Sequence, residues 1–70
     1  MTQLKSFSLN GQSYYVNQNI SLLDLITYFN YNDSLLVLEL NNLICNKKNW
    51  QNTFIKNEDK IEIVTIVGGG

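Results

Sequence analysis

Residues 59–70 read Asp-Lys-Ile-Glu-Ile-Val-Thr-Ile-Val-Gly-Gly-Gly, so an alternating apolar segment leads directly into three glycines. The alternation has the period of two that is typical of a β-strand, and it predicts that Ile61 and Ile63 face the core. Three consecutive glycines do not help to stabilise a fold, because glycine loses the most backbone entropy on ordering. We therefore predict a folded domain at residues 1–67 and a flexible tail at residues 68–70.

The tail is the most informative chemical feature of the sequence. Without Cβ atoms, Gly68 and Gly69 can lie extended in a narrow channel and bring the carboxylate of Gly70 into another protein's active site. An α-carboxyl group is ionised at neutral pH and does not acylate nucleophiles unless it is activated. Condensation with ATP to an acyl-adenylate is the common biological route. The other interpretation is an idle chain end, and the residues alone leave it open.

The rest of the chain predicts a small sheet and one helix. Segments 4–9 and 12–16 alternate on either side of Asn10-Gly11, the strongest short hairpin signal. Ser21 is typical of a helix N-cap, and Asp24 is placed to bond back to it. We expect this helix to end near residue 30. Its apolar stripe consists of Leu22, Leu25, Ile26 and Phe29.

The second half of the chain predicts the remaining strands. Segment 35–40 is the most apolar and predicts a central strand, 43–45 a short strand, and 46–57 an irregular connection. Because both terminal strands are strongly apolar, we place them side by side in the sheet centre, with the helix across one face. The predicted fold is α+β, a β-grasp with a mixed sheet of four to five strands. The irregular connection is anchored by Trp50, Phe54 and Ile55.

Composition argues against an enzyme. The 70 residues include no histidine, the commonest general base and metal ligand. Cys45 is the only cysteine and is more typical of a small buried hydrophobe than of a nucleophile. A net charge of −1 is too close to zero for nucleic-acid binding, although Lys47, Lys48 and Trp50 combine charge with an aromatic ring. We predict no catalytic residue, no metal, no bound cofactor and no nucleic-acid partner.

Composition also bears on the compartment. Apolar runs are far shorter than a membrane span, and residues 1–5 lack the features of a signal or transit peptide, so we expect no membrane partner. Ala, Arg, Pro and His are absent while Asn, Ile, Lys and Tyr are frequent, a bias that follows the codons of an AT-rich genome. We expect a cytoplasmic protein, or one of the plastid stroma if the gene is organelle-encoded.

Several stretches along the chain together match one known family: Leu9-Asn10-Gly11, Ser21-Leu22-Leu23-Asp24-Leu25, Val37-Leu38-Glu39-Leu40-Asn41, Trp50, Thr53 and Ile55, and Asp59-Lys60-Ile61-Glu62-Ile63-Val64 before Gly68-Gly69-Gly70. On these residues, essentially the whole chain resembles the ThiS family, the ubiquitin-like β-grasp sulfur carrier proteins of thiamine biosynthesis. Three departures concern turns or a partner contact: Asn42 replaces a usual glycine, Asn57-Glu58 replaces an Asp-Gly turn, and Lys47 stands where arginine is common.

This resemblance implies a reaction sequence. A ThiF-type adenylyltransferase would use MgATP to adenylate Gly70, and a sulfur-donor protein would convert the adenylate to a thiocarboxylate. Thiazole synthase would then accept the sulfur, with Gly68 and Gly69 threading into both enzymes. Three alternatives stay open: the small subunit of molybdopterin synthase, a ubiquitin-like modifier, and a passive interaction module with an idle tail.

Partner binding is predicted on the sheet face that the helix does not cover. If Ile61 and Ile63 point inward, the intervening residues of the last strand point outward, together with their neighbours on the central strand. An exposed apolar group on a small protein usually marks an interface. The predicted interface residues are Val37, Glu39, Glu62, Val64 and Ile66.

Overall fold

The computed structural model describes residues 3–66; the predicted tail at residues 68–70 lies outside the described residues. A five-stranded sheet carries one α-helix across one face, as predicted for a β-grasp. Two short 3-10 helices, Asp33–Leu35 and Lys47–Asn52, lie in the connections. The strands are β1 Lys5–Leu9, β2 Gln12–Val16, β3 Leu36–Leu40, β4 Leu43–Ile44 and β5 Asp59–Thr65, and the helix is α1 Leu22–Tyr28.

The strand order β2-β1-β5-β3-β4 places the C-terminal strand in the middle of the sheet. β5 pairs parallel with β1 and antiparallel with β3, so the two terminal strands are neighbours as predicted. The β1–β2 hairpin turns at Asn10 and Gly11, whose φ angles of 51° and 82° are both positive, as a type I′ turn requires. The sheet is therefore mixed, and its central strand is the one that leads to the tail.

Helix α1 begins and ends with local hydrogen-bonding motifs. The Ser21 hydroxyl accepts from the Asp24 N–H at 3.1 Å, and the Asp24 carboxylate accepts from the Ser21 N–H at 2.9 Å, a complete capping box. The helix ends at Tyr28, close to the predicted residue 30, and Asn30 has a φ of 60°. Asn30 N–H then donates to Thr27 and Tyr31 N–H to Ile26, the pattern of a Schellman motif.

The core lies between α1 and the inner face of the sheet. Three of the four predicted stripe residues of α1 are buried, whereas Phe29 is half-buried at the helix end. Ile61 and Ile63 face inward as predicted. The buried apolar residues are Phe7, Leu9, Leu22, Leu25, Ile26, Leu36, Leu38, Trp50, Ile55, Ile61 and Ile63.

The connection before β5 differs from the prediction in two respects. It is not irregular throughout, because Lys47–Asn52 forms a 3-10 helix that buries Trp50, whose indole N–H donates to the Cys45 carbonyl at 2.9 Å. Phe54 is not an anchor, since 47% of it is exposed. Phe54 forms a β-bridge with Ser21, and in this extended backbone the side chains of neighbouring residues point to opposite sides, so Ile55 is the buried one.

Candidate partner interface

The outer face, meaning the sheet face opposite α1, carries the predicted interface. Along β5, Ile61 and Ile63 are buried while Glu62 is half-buried and Val64 is 56% exposed. Ile66, just beyond the strand, is 51% exposed. The strand period thus presents two large aliphatic side chains to solvent on the segment that leads to the tail.

Register with β3 brings the predicted residues together in pairs. Val37 lies opposite Val64, and Glu39 lies opposite Glu62, in the antiparallel β3–β5 ladder. Ile66 extends the pairing, since its N–H donates to the Leu35 carbonyl at 2.6 Å. The structure therefore places four of the five predicted interface residues on paired positions of β3 and β5 and the fifth, Ile66, just beyond β5. Their contact with a partner stays a prediction.

Two apolar residues next to this group were not predicted. Ile44 is 68% exposed and lies opposite Glu39 in the β3–β4 pair, so it shares the outer face. Leu35, whose carbonyl binds Ile66, is 46% exposed at the other end of β3. The sequence signal for Ile44 was its place in the short strand after the Asn41-Asn42 turn, which fixes the register. The predicted strand 35–40 includes Leu35, but in the structure β3 begins at Leu36 and Leu35 is the last residue of the 3-10 helix Asp33–Leu35.

Charges on the outer face are concentrated at the end remote from the tail. Glu39 and Glu62 are cross-strand neighbours, and the Lys60 Nζ lies 3.6 Å from the Glu62 Oε1. The Lys60 Nζ also donates to the Asn42 Oδ1 at 3.5 Å. Lys47, where the family commonly has arginine, lies off the sheet and pairs with Asp33 at 3.4 Å between the two 3-10 helices. The outer face is therefore apolar toward Ile66 and acidic toward Glu62.

Two asparagine side chains fix β5 from its two sides. The Asn10 Oδ1 accepts from the Ile63 N–H at 2.8 Å, which continues the β1–β5 pairing past the hairpin turn. On the other side, the Asn41 Oδ1 accepts from the Lys60 N–H at 2.9 Å, and its Nδ2 donates to the buried Asp59 at 3.0 Å. These bonds tie the tail-bearing strand to residues on both of its sides, in addition to the regular strand pairing.

Residues 3–66 contain no group of side chains arranged for catalysis or for binding a metal ion. No group of three His, Cys, Asp or Glu residues in this range could hold a metal ion. Cys45 is half-buried against the core, with its sulfur 4.0 Å from the Thr53 hydroxyl. No helix in the described part of the chain has the length and apolar character needed to cross a membrane. What this region offers is an exposed, partly apolar sheet face on the strand that leads to the tail.

Comparison with a solved structure supports the fold assignment. The crystal structure of the thiamine biosynthesis protein ThiS from Geobacter metallireducens superposes with a TM-score of 0.79. The match covers 93% of this chain and 99% of that chain, at 20% sequence identity. At this identity the likeness establishes the ubiquitin-like β-grasp fold.

Sequence comparison identifies the family. The chain is 65% identical over 66 residues to the uncharacterized protein ycf40 of Trieres chinensis, covering 94% of this chain and 90% of that protein. It is 34% identical over 65 residues to ycf40 of Porphyra purpurea, covering 93% and 92%. The model of the ThiS family matches residues 6–70. The chain therefore belongs to the ThiS family, whose members are small sulfur carrier proteins and not enzymes.

Proposed function

We propose that this chain carries sulfur as a thiocarboxylate on Gly70 and donates it to thiazole formation in thiamine biosynthesis. The observation that carries the proposal is the extent of the family match, which runs through residues 68–70 and so includes the terminal glycines. The proposed partners are a ThiF-type adenylyltransferase, a sulfur-donor protein and thiazole synthase. The carrier itself binds no cofactor, and MgATP is used by the adenylyltransferase.

The first proposed step activates an unreactive group. The Gly70 carboxylate is an anion at neutral pH, so nucleophiles do not attack its carbonyl carbon. In the adenylyltransferase a carboxylate oxygen attacks the α-phosphorus of ATP, and pyrophosphate leaves. The product is an acyl-adenylate in which AMP is a good leaving group.

Sulfur is introduced in the second step. A sulfur nucleophile at the oxidation level of sulfide adds to the acyl carbon of Gly70, and AMP leaves. Glycine suits this position because no side chain beside the carbonyl hinders the attacking group. The resulting thiocarboxylate is the form that would deliver sulfur to thiazole synthase.

The geometry supports separate roles for the two parts: the outer face binds the partner, and the tail reaches the partner's active site. Gly70 lies four residues beyond Ile66, so an extended tail reaches at most about 14 Å past the outer face. The partner must therefore bind the domain close to its own active site. Gly68 and Gly69 are the proposed thread, and the outer face with Val37, Val64 and Ile66 is the proposed docking surface.

We also propose a location in the plastid stroma. The ycf40 genes of the relatives are organelle-encoded, which supports a plastid origin for this gene. The residue composition, rich in Asn, Ile and Lys and without Arg or Ala, agrees with an AT-rich genome of that kind.

Removing Gly69 and Gly70 tests the proposal against a passive interaction module. The truncated chain should still bind the adenylyltransferase but should not support ATP–pyrophosphate exchange or thiocarboxylate formation. Its thermal unfolding should match that of the full chain, because the core lies within residues 3–66. Full activity of the truncated chain would contradict the carrier role. Sulfur transfer by the chain as the small subunit of molybdopterin synthase, in place of transfer to thiazole synthase, would reassign the pathway.

The docking surface is tested by Val64→Lys. A charged side chain in the apolar part of the outer face should abolish adenylation while the protein remains folded. Tyr28→Lys is the matched control, because Tyr28 is 82% exposed on α1, on the other side of the sheet. Equal adenylation rates for the two variants would contradict the assignment of the outer face.

A further inference from the structure

The acidic end of the outer face is unfavourable for the isolated domain. Glu39 and Glu62 lie directly opposite each other in the β3–β5 ladder, and like charges at opposed positions destabilise a sheet. Both residues are half-buried, so water screens them less than it screens fully exposed charges. The pair therefore disfavours folding of the free protein, and a cation bound between the two carboxylates would relieve that cost.

Compensation within the chain is incomplete. Lys60 pairs with Glu62 at 3.6 Å, and both side chains are about half exposed. Glu39 makes no ion pair and no side-chain hydrogen bond with any residue from 3 to 66. Its other cross-strand neighbour is the apolar Ile44. Glu39 therefore keeps a carboxylate free beside an exposed aliphatic surface.

The outer face changes along β5 from an acidic end to an apolar end. Val64 and its partner Val37 lie two residues from the acidic pair, or about 7 Å along the strand. Ile66 lies a further two residues toward the tail. A partner that fits this face needs an apolar surface next to the entrance of its active-site channel and a positive charge farther out.

We propose that the Glu39–Glu62 pair accepts a basic side chain of the adenylyltransferase, and this inference rests on the proposed function. Arginine is the best fit, because its planar guanidinium can bond two carboxylates and can lie on neighbouring aliphatic side chains. One cation between the two carboxylates would replace their repulsion with attraction. The contact gives the otherwise apolar docking surface a fixed orientation.

The position of the pair separates this contact from the chemistry at the tail. Glu62 is eight residues before Gly70, so a tail that lies extended in the partner's channel, as proposed, places them about 26 Å apart. With the tail in that position, a basic group that meets Glu62 is not one of the groups that hold the ATP phosphates near Gly70. The acidic pair should affect binding of the carrier and not the rate of adenylation once the carrier is bound.

Steady-state adenylation of Glu39→Gln by the purified adenylyltransferase tests the inference. We expect the KM for the carrier to rise about tenfold with kcat unchanged, and the rise to shrink at high ionic strength. Glu58→Gln is the matched control, since it removes the same charge from an exposed turn at the far end of β5. Its KM should stay within about twofold of wild type. The Tm of Glu39→Gln should be equal to or above that of wild type, because repulsion is removed.

The outcomes separate this inference from the proposed function. If wild type is adenylated and Glu39→Gln has an unchanged KM, or changes KM no more than Glu58→Gln does, the acidic pair has no such partner. If Glu39→Gln loses binding because its Tm falls, the carboxylate is structural and the inference is wrong. If only sulfur transfer to thiazole synthase is impaired, the choice of partner is wrong. Absence of adenylation in wild type would instead refute the proposed function.

Discussion

Replacing Glu58 with glycine should stabilise the domain. Glu58 has a φ of 69°, in the left-handed region that residues with a Cβ atom rarely adopt. Its side chain is exposed and makes no ion pair or hydrogen bond with any residue from 3 to 66, so its removal costs no contact there. Its N–H donates to the Ser6 carbonyl, a bond that glycine keeps. The substitution therefore isolates the effect of backbone conformation.

The size of the effect follows from two opposing terms. Left-handed backbone costs a residue with a Cβ atom about 1–2 kcal/mol, and glycine removes that cost. Glycine also makes the unfolded chain more flexible, which disfavours folding by about 0.5–1 kcal/mol. The net stabilisation is about 0.5–1 kcal/mol, which corresponds to a rise in Tm of about 2–8 °C for a domain of this size.

Urea unfolding followed by circular dichroism measures the change. Lys56→Gly is the matched control, because Lys56 is exposed in the same turn and is not among the residues with positive φ. The free energy of unfolding of Lys56→Gly should fall by about 0.5–1 kcal/mol, since the only effect of glycine there is to make the unfolded chain more flexible. If both substitutions shift the midpoint in the same direction by the same amount, the account of strain at Glu58 is wrong.

Three further substitutions test how β5 and α1 are held. Asn10→Ala should lower the free energy of unfolding by about 2–4 kcal/mol, because it leaves the Ile63 N–H without its acceptor and forces alanine into left-handed backbone. Asn10→Gly removes the same acceptor but tolerates that backbone, so its loss should be smaller. Equal losses for the two variants would contradict the contribution assigned to backbone conformation. Ser21→Ala should lower the free energy of unfolding by about 1 kcal/mol through loss of the capping box, and an unchanged urea midpoint would show that the cap is dispensable. Leu38→Ala should cost about 2–5 kcal/mol, because Leu38 is 0% exposed in the centre of the core, and a loss below about 1 kcal/mol would mean that the core collapses into the space.

The parts of the fold that sequence predicts well are those with a local cause. Asn10-Gly11 defines its hairpin because both residues tolerate positive φ, and Ser21 with Asp24 defines the helix start through bonds three residues apart. The alternation in β5 likewise determines which side chains face outward. These signals depend on neighbours in the chain, so they can be read without knowing the rest of the fold.

Other features depend on contacts between distant segments. The 3-10 helix Lys47–Asn52 accompanies burial of Trp50 against the core, and its own sequence shows no helical apolar stripe. Phe54 looked like an anchor because it is aromatic, but the bridge to Ser21 sets its orientation outward. The hydrogen bond from the Ile63 N–H to the Asn10 side chain joins residues 53 positions apart. None of these contacts has a local signal.

The turns show how asparagine substitutes for glycine in this chain. Among residues 3–66, the non-glycine residues with positive φ are Glu58 and four asparagines, Asn10, Asn30, Asn41 and Asn42. Asn42 and Glu58 lie where the family resemblance led us to expect glycine, and both occupy left-handed backbone. Asparagine tolerates this conformation better than most residues, so the turns survive with few glycines. The resemblance identified the positions, and the structure supplies the reason that glycine suits them.

For the outer face, the sequence predicted which of the five residues share it but not its extent, and binding of a partner there stays a prediction. Strand alternation was enough to place Val64 and Ile66 on the outer face, and the register of β3 confirmed that Val37 and Glu39 join them. The addition of Ile44 required the position of β4 at the sheet edge. The role of Gly70 is a matter of chemistry at the tail, and only a reaction can test it.

The most direct test of the carrier role is the intact mass of the protein before and after reaction with MgATP, the adenylyltransferase and a sulfur source. We expect an AMP adduct first, followed by a species in which one oxygen is replaced by sulfur. Fragmentation should place the sulfur on Gly70. An unchanged mass with an adenylyltransferase of demonstrated activity, or a modification on any other residue, would contradict the account.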